Sequence, residues 1–181
     1  MPNKLVRLAV LGSDGVGKTT FCEQNLRHSD QSADYSSEAD IYSIQLELED
    51  GMIDVELLDT EVSEKFSVMR KLCLQECDGF ILMFSLDSEV SLLNLWPIVK
   101  QIYVAKQSRN VPIVIVGNKC DLGDTKLIVS RNLADQAEHK LKGTYFECSA
   151  RYNLNVDRAI RYLVTRTAKR KQTEHNKCHI Q

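Results

Sequence analysis

Three features of this 181-residue chain predict an α/β fold built on a doubly wound, mostly parallel sheet. Short continuous apolar runs, "KLVRLAVLG", "GFILMFSL", "VPIVIVGNK" and "GTYFECSA", have the length of strands and the composition of strands covered on both faces. Helix-patterned segments separate them, and such alternation puts ligands outside the carboxyl ends of the strands. The third feature is "YSIQLELEDGMIDVELLD", which alternates apolar and polar residues on both sides of Asp50-Gly51 and so predicts an antiparallel hairpin.

The first strand, "KLVRLAVLG", runs straight into the glycine-rich "GSDGVGKTT". In the hairpin, Ile44, Leu46 and Leu48 should face the core while Gln45, Glu47 and Glu49 face away. Its second arm delivers Asp59 and Thr60 to the sheet's carboxyl edge, and "EVSEKF" then continues with no glycine or proline to mark a turn. The segment "SEVSLLNLWPIVKQIYVAKQ" reads as a helix that Pro97 should kink or break. For "SRNLADQAEHKLKG" the signals are Ser130 as N-cap and Gly143 at the C-terminal end. The last helix, "NVDRAIRYLVTRTAKRK", starts from an Asn155 cap and places Val156, Ala159, Ile160, Leu163 and Val164 on one face.

The length suits one domain, and a content of 43% hydrophobic residues supplies one substantial core. Lys plus Arg number 23 against 25 Asp plus Glu, a formal charge of -2, so nothing global points to nucleic acid. The longest apolar runs are too short to span a bilayer and the N-terminus carries no signal-peptide pattern, which leads us to expect a cytosolic chain. Six scattered cysteines without a Cys-x-x-Cys pair read as buried or incidental thiols.

Three stretches carry chemistry. "GSDGVGKTT" fits G-x-x-x-x-G-K-[ST], so Gly12, Ser13, Asp14, Gly15, Val16, Gly17, Lys18, Thr19 and Thr20 form a candidate phosphate cradle. Its glycines let backbone N–H groups curl round phosphates, Lys18 reaches the outer oxygens, and the Thr19 hydroxyl suits Mg²⁺. The nucleotide is specified by "GNKCD": Asn118, Lys119 and Asp121 leave a strand end, and Asp121 can accept from the ring N–H and exocyclic amine of guanine, donors adenine lacks in that arrangement. In "ECSAR", Ser149, Ala150 and Arg151 follow the next strand and could offer a backbone N–H to the guanine carbonyl.

The motifs "GSDGVGKT", "NKCD", "CSA" and the terminal "CHIQ", in this order and spacing, resemble those of the Ras-like small GTPases, and "VPIVIVGNKCDL" is particularly similar to the Ras subfamily. The resemblance covers essentially the whole chain. It implies the P-loop small GTPase fold: a six-stranded, mostly parallel sheet with one antiparallel edge hairpin and helices on both faces. Residues 1–168 would form the GTPase domain and 169–181 a basic tail. The ligands would be GTP and GDP with Mg²⁺ as cofactor, and two switch loops ordered by the terminal phosphate would govern effector binding. The metal set would be Thr19, Ser37 (or Ser36 if the register slips) and Asp59. Effectors would meet Tyr35, Ser37, Glu38, Asp40 and Tyr42, with strand addition along the edge beginning near Ile41, and an exchange factor is a further implied partner.

Departures from the family pattern bear on rate. Where the family has Asp-Thr-Ala-Gly-Gln-Glu, this chain has Asp59-Thr60-Glu61-Val62-Ser63-Glu64. Val62 replaces the glycine that senses the terminal phosphate, and Ser63 replaces the glutamine that orients the attacking water. Asp14 stands where Ras has a glycine, so a side chain crowds the same region; Glu61 or Glu64 is the nearest alternative for placing the water. The aromatic residue that stacks on guanine is missing before the first switch, with only Tyr35 and His28 as candidates, which predicts quick nucleotide release. At the end of the chain, Lys169, Arg170, Lys171 and Lys177 precede Cys178-His179-Ile180-Gln181, a C-a-a-X box whose terminal glutamine favours farnesyl. One lipid needs a second signal, and the basic residues supply it, which places the protein at the cytoplasmic face of the plasma membrane. Two readings follow: a Ras-type switch with weak hydrolysis, or a non-switching scaffold stabilised by GTP.

Overall fold

The computed structural model describes residues 4–28, 35–36, 41–49, 51–60, 73–123 and 126–178. The sheet order is β2-β3-β4-β1-β5-β6-β7, with β1 Lys4–Gly12, β2 Tyr35–Ser36, β3 Ile41–Leu48, β4 Gly51–Asp59, β5 Gly79–Ser85, β6 Ile113–Asn118 and β7 Thr144–Glu147. Strands β4, β1, β5, β6 and β7 run parallel, and β3 turns antiparallel on β4. The expected six strands are therefore present, and the two-residue β2 is an addition, pairing antiparallel with Tyr42 and Ile41 at the start of β3. That pairing takes up only Ile41 and Tyr42, and among the described residues no strand pairs with the outer edge of β3 from Ser43 to Leu48.

The hairpin register places Leu48 opposite Gly51, one residue ahead of a turn centred on Asp50-Gly51. Ile44 and Leu46 are buried and Gln45, Glu47 and Glu49 exposed, as the alternation required.

Among the described residues, five helices of known bounds cover the sheet, α1 Lys18–His28, α2 Glu89–Leu93, α3 Leu95–Lys106, α4 Arg131–Leu141 and α5 Val156–Cys178, and residues 73–76 are helical as well. One core layer joins α1 and α5 to one face through Phe21, Cys22, Ile160, Leu163 and Val164; the other joins α2, α3 and α4 through Leu92, Ile98, Ile102, Ala137 and Leu141. Strand β5 serves both layers, with Ile81 and Met83 on one side and Phe80, Leu82 and Phe84 on the other. That double burial is why its sequence is an unbroken apolar run.

Pro97 acts upstream of itself. Its ring excludes the carbonyl of Leu93, four residues back, so the helix breaks at Asn94 and Pro97 falls in the first turn of α3, where a missing N–H costs no intrahelical bond. Ser130 caps α4 by accepting from the Leu133 N–H, but the left-handed residue closing that helix is Lys142, at φ 55°. Gly143 answers a different demand, because a Cβ there would lie 2.9 Å from Ile115 Cγ1.

Asn155 precedes α5 and its carbonyl accepts from Ala159, while its side-chain amide donates to the Glu147 carbonyl at 2.8 Å. Helix α5 runs without a break to Cys178. Arg170 donates to the Asn110 carbonyl, and the Lys171 ammonium meets the Leu5 carbonyl at 2.9 Å and the Asp78 carboxylate at 2.6 Å. No helix among the described residues is long and apolar enough to cross a membrane.

Candidate nucleotide-binding site

The ends of β1, β4, β5, β6 and β7 bring Gly12, Asp59, Ser85, Asn118 and Ser149 to one edge of the sheet. This is the edge where open parallel sheets bind ligands.

The loop from Gly12 to Gly17 joins β1 to α1. A Cβ on Gly12 would sit 2.2 Å from the Met83 carbonyl oxygen, so only glycine lets the loop lie against β5. Gly17 has φ +96°, and a Cβ on it would come within 2.5 Å of the Asn118 amide nitrogen. Val16 anchors the loop in the core while Asp14 and Gly15 are exposed at its tip. Ser13 is tied from the side, its hydroxyl accepting from Asn94 Nδ2 at 3.0 Å. Lys18 is buried at 1% exposure, with its ammonium donating to the Gly12 and Ser13 carbonyls at 3.0 and 3.1 Å. A cation buried inside a ring of backbone groups attracts anions strongly, since screening by water is weak there.

On the other side of the loop, the Thr19 hydroxyl donates to Asp59 Oδ2, and the Thr60 hydroxyl donates to the Val10 carbonyl at 2.8 Å. Two hard oxygen groups, one a carboxylate only 6% exposed, therefore meet beside the loop. Below them burial pushes the Cys22 thiol well up, with the charge of Asp59 acting the same way.

Asn118 is the centre of the site. It is 2% exposed; its Nδ2 donates to the Val16 carbonyl at 2.8 Å and its Oδ1 accepts from the Ala150 N–H at 2.9 Å. One side chain thus fastens the loop after β1 to the loops after β6 and β7. Asp121, on a short 3₁₀ turn at Cys120–Leu122, accepts from the Ser149 hydroxyl at 2.6 Å, which fixes its carboxylate. Lys119 takes a left-handed conformation, φ 70°, and its ammonium lies 3.4 Å from Asp87. The Ser85 hydroxyl, then Lys119, hold the Asp87 carboxyl below its usual range.

This arrangement refines several sequence expectations. Asn118 is a brace between loops, and that is also why position 17 must lack a side chain. Of the stretch expected to offer a backbone N–H to a guanine carbonyl, the Ser149 N–H donates to Leu154 and the Ala150 N–H to Asn118, and the Arg151 N–H has no partner among the described residues. Thr20 is exposed on α1. Tyr42 is 3% exposed and packs in the core layer with Leu57 and Ile44, so it cannot form part of a surface for partners. Ser37, Glu38, Asp40, Glu61, Val62, Ser63 and Glu64 lie outside the described residues, as do the side chains of His28, Tyr35, Ser36 and Cys178. Asn94, Ser85 and Asp87 were not legible in advance, because a motif scan gives no weight to polar residues at helix junctions.

A family model described as "Ras family" matches residues 7–169. The chain belongs to the Ras family. Among curated proteins it is similar to Ras-like protein 2 of Drosophila melanogaster, 34% identical over 165 residues that cover 91% of this chain and 85% of the relative. The sheet and its covering helices are the α/β fold of a small GTPase. A Ras-family chain is a guanine-nucleotide-binding signalling GTPase.

Proposed function

We propose that this Ras-family protein is a switch that binds GTP and GDP together with Mg²⁺, hydrolyses GTP weakly and works from a membrane. The observation carrying the reading is the pair of bonds from Asn118 to Val16 and Ala150, which makes phosphate loop and base loops one rigid receptor. A ligand with a phosphate chain at one end and a base at the other is matched to that receptor. Asp121, steered by Ser149, supports guanine as the base.

Thr19 and Asp59 form the donor set that suits Mg²⁺, which takes hard oxygen ligands from one or two carboxylates and the substrate's phosphates. Held by Thr19 and Asp59, the ion would supply positive charge to offset that of the phosphates. Ser37 is the third candidate ligand, from the sequence alone. Lys18 provides a fixed positive charge at the loop and Asp59 keeps the Thr19 hydroxyl oriented.

Weak hydrolysis rests on Ser63, too short to orient a water, on Val62 in place of a glycine, and on the exposed Asp14 at the loop tip. Effectors would meet Tyr35, Ser37, Glu38 and Asp40 in the first switch, and an exchange factor would recharge the site. Cys178 would carry the prenyl group at the end of α5, with Lys169 and Lys177 as accessory charges. The alternative, a permanently GTP-bound scaffold, draws on Val62 and Ser63, while Ser37 and Asp59, with the metal set kept whole in the sequence, favour the switch.

The test is the nucleotide content of the purified protein by chromatography, followed by partner binding to GDP-loaded and GTP-loaded forms. A switch carries guanine nucleotides and a partner that prefers the GTP form. Absence of bound guanine nucleotide, or a partner indifferent to the terminal phosphate, would overturn it.

A further inference from the structure

The opposite edge of the sheet holds a second charged cavity. A pocket of about 120 Å³ is lined by Asp78, Lys106, Val111, Thr167, Arg170 and Lys171. Asp78 directly precedes β5, Val111 lies just before β6, and Lys106 ends α3, so the pocket sits at the N-terminal ends of the strands, away from the nucleotide edge.

We propose that this pocket is an anion site that takes the phosphate-bearing head group of an acidic phospholipid. Its lining contains three cations and a single carboxylate. That carboxylate is shared: Asp78 Oδ2 accepts from the Arg7 N–H at 2.9 Å and from Lys171 at 2.6 Å. The cations are held in place by the domain. Lys106 donates to the Gln75 carbonyl at 2.6 Å and lies over the Phe80 ring, Arg170 is tied to Asn110, and Lys171 to Leu5. Burial holds the Lys106 ammonium below its usual range, and Arg170 and Lys171 push the same way while Asp78 opposes them. Like charges fixed this close repel one another, and an entering anion relieves that repulsion while adding charge-assisted hydrogen bonds.

The source of the anion is argued from position. Lys171 and Cys178 are on one continuous helix, seven residues apart, a rise of about 10 Å. A lipid on Cys178 therefore brings the pocket to within head-group reach of a bilayer. The choice of a lipid source rests on the prenylation reading; the charge arrangement does not.

The experiment uses the full, unprenylated chain, so that failure of lipid attachment leaves it unaffected. Binding is measured to inositol 1,4,5-trisphosphate and to inorganic phosphate in solution, and to phosphatidylcholine vesicles with and without phosphatidylinositol 4,5-bisphosphate. Lys106→Gln with Arg170→Gln is compared with Lys100→Gln plus Arg166→Gln, which removes the same charge from exposed positions outside the pocket. The inositol phosphate and the phosphoinositide vesicles should bind the wild type. The pocket pair should weaken both by about twenty-fivefold, since each cation near an anionic surface contributes roughly a fivefold factor. The exposed pair should change binding less than threefold, about the screened effect of distant charges. Equal loss in both pairs would mean diffuse attraction and overturn the site. Binding of inorganic phosphate without any response to the vesicles would overturn the lipid head group as its ligand.

Discussion

Replacing Asn118 by alanine removes the brace between the phosphate loop and the base loops. The side chain is 2% exposed and serves two backbone groups, the Val16 carbonyl and the Ala150 N–H. Stranding a buried polar group costs about 1–3 kcal/mol, so two would cost about 2–6 kcal/mol, and water entering the space recovers part of this. A net loss of about 2–4 kcal/mol lowers the melting temperature of a chain this size by about 4–16 °C. The assay is thermal and urea unfolding at two GDP concentrations, because ligand binding adds stability by mass action and must be separated from the loss within the fold. Asn118→Asp should fare no better: it keeps an acceptor for Ala150 but sets a buried carboxylate against the Val16 carbonyl. An alanine variant within about 1 kcal/mol of wild type at both concentrations would refute the brace.

Other consequences can be measured separately. Asp121→Asn should weaken GTP and admit xanthosine nucleotides, whose extra carbonyl suits an amide donor; wild-type GTP affinity in that variant would mean Asp121 does not read the base. Gly17→Ala sets a methyl against the Asn118 amide at a left-handed backbone position, so it should destabilise the loop by at least about 1 kcal/mol and reduce nucleotide affinity, whereas full affinity would contradict the close approach. A fluorescent GDP analogue should leave faster than from an ordinary Ras protein at matched Mg²⁺, and equally slow release would assign the missing stacking contact to another side chain. Cys178→Ser should move a tagged protein from membrane to cytosol; retained membrane association would end the prenylation proposal. Burial pushes the Cys148 thiol up to about 12 and raises Cys22, while the contact with Cys73 and then burial raise Cys77, so these thiols should resist alkylation at pH 8 until the chain is unfolded, and rapid native-state labelling would show that they are accessible.

The strands were legible because each apolar run reports burial on both faces, which is a local property of composition. Ser130 was legible as a cap for the same reason: its hydroxyl acts within its own turn. What escaped depends on distant residues. Gly143 looks like a helix terminator, yet Ile113 and Ile115, some 30 positions earlier, are what exclude a side chain there, and Lys142 takes the left-handed turn instead. Pro97 marked a disruption correctly, but its effect acts through the carbonyl four residues back and lands on Asn94. At the site, Gly17, Lys18, Asn118 and Asp121 were all recoverable as motif members, whereas Asn118 acting as a brace needed the loops after β1 and β7 to be seen side by side. Tyr42 was assigned to the partner surface from the family resemblance, although it shares the parity of Ile44 and Leu46 and, like them, faces the core. The reach of α5 to Cys178 escaped because lysines and arginines end an apolar stripe without ending a helix.

Hydrolysis is where the central claim is most exposed: that a Ras-family receptor for guanine nucleotide has kept its binding edge and lost its means of placing water. An arginine finger acting with a water-orienting glutamine accelerates hydrolysis by about 10⁵-fold in Ras. Single-turnover release of the terminal phosphate should be measured for the wild type and for Asp14→Gly, Val62→Gly and Ser63→Gln combined, with and without a Ras-type activating protein. The expected result is a wild type that hydrolyses slowly and ignores the activating protein, beside a triple variant that recovers hydrolysis and responds to it. A wild type that already hydrolyses at Ras-like rates and is stimulated further would contradict the claim, and would assign the placing of the water to Glu61 or Glu64.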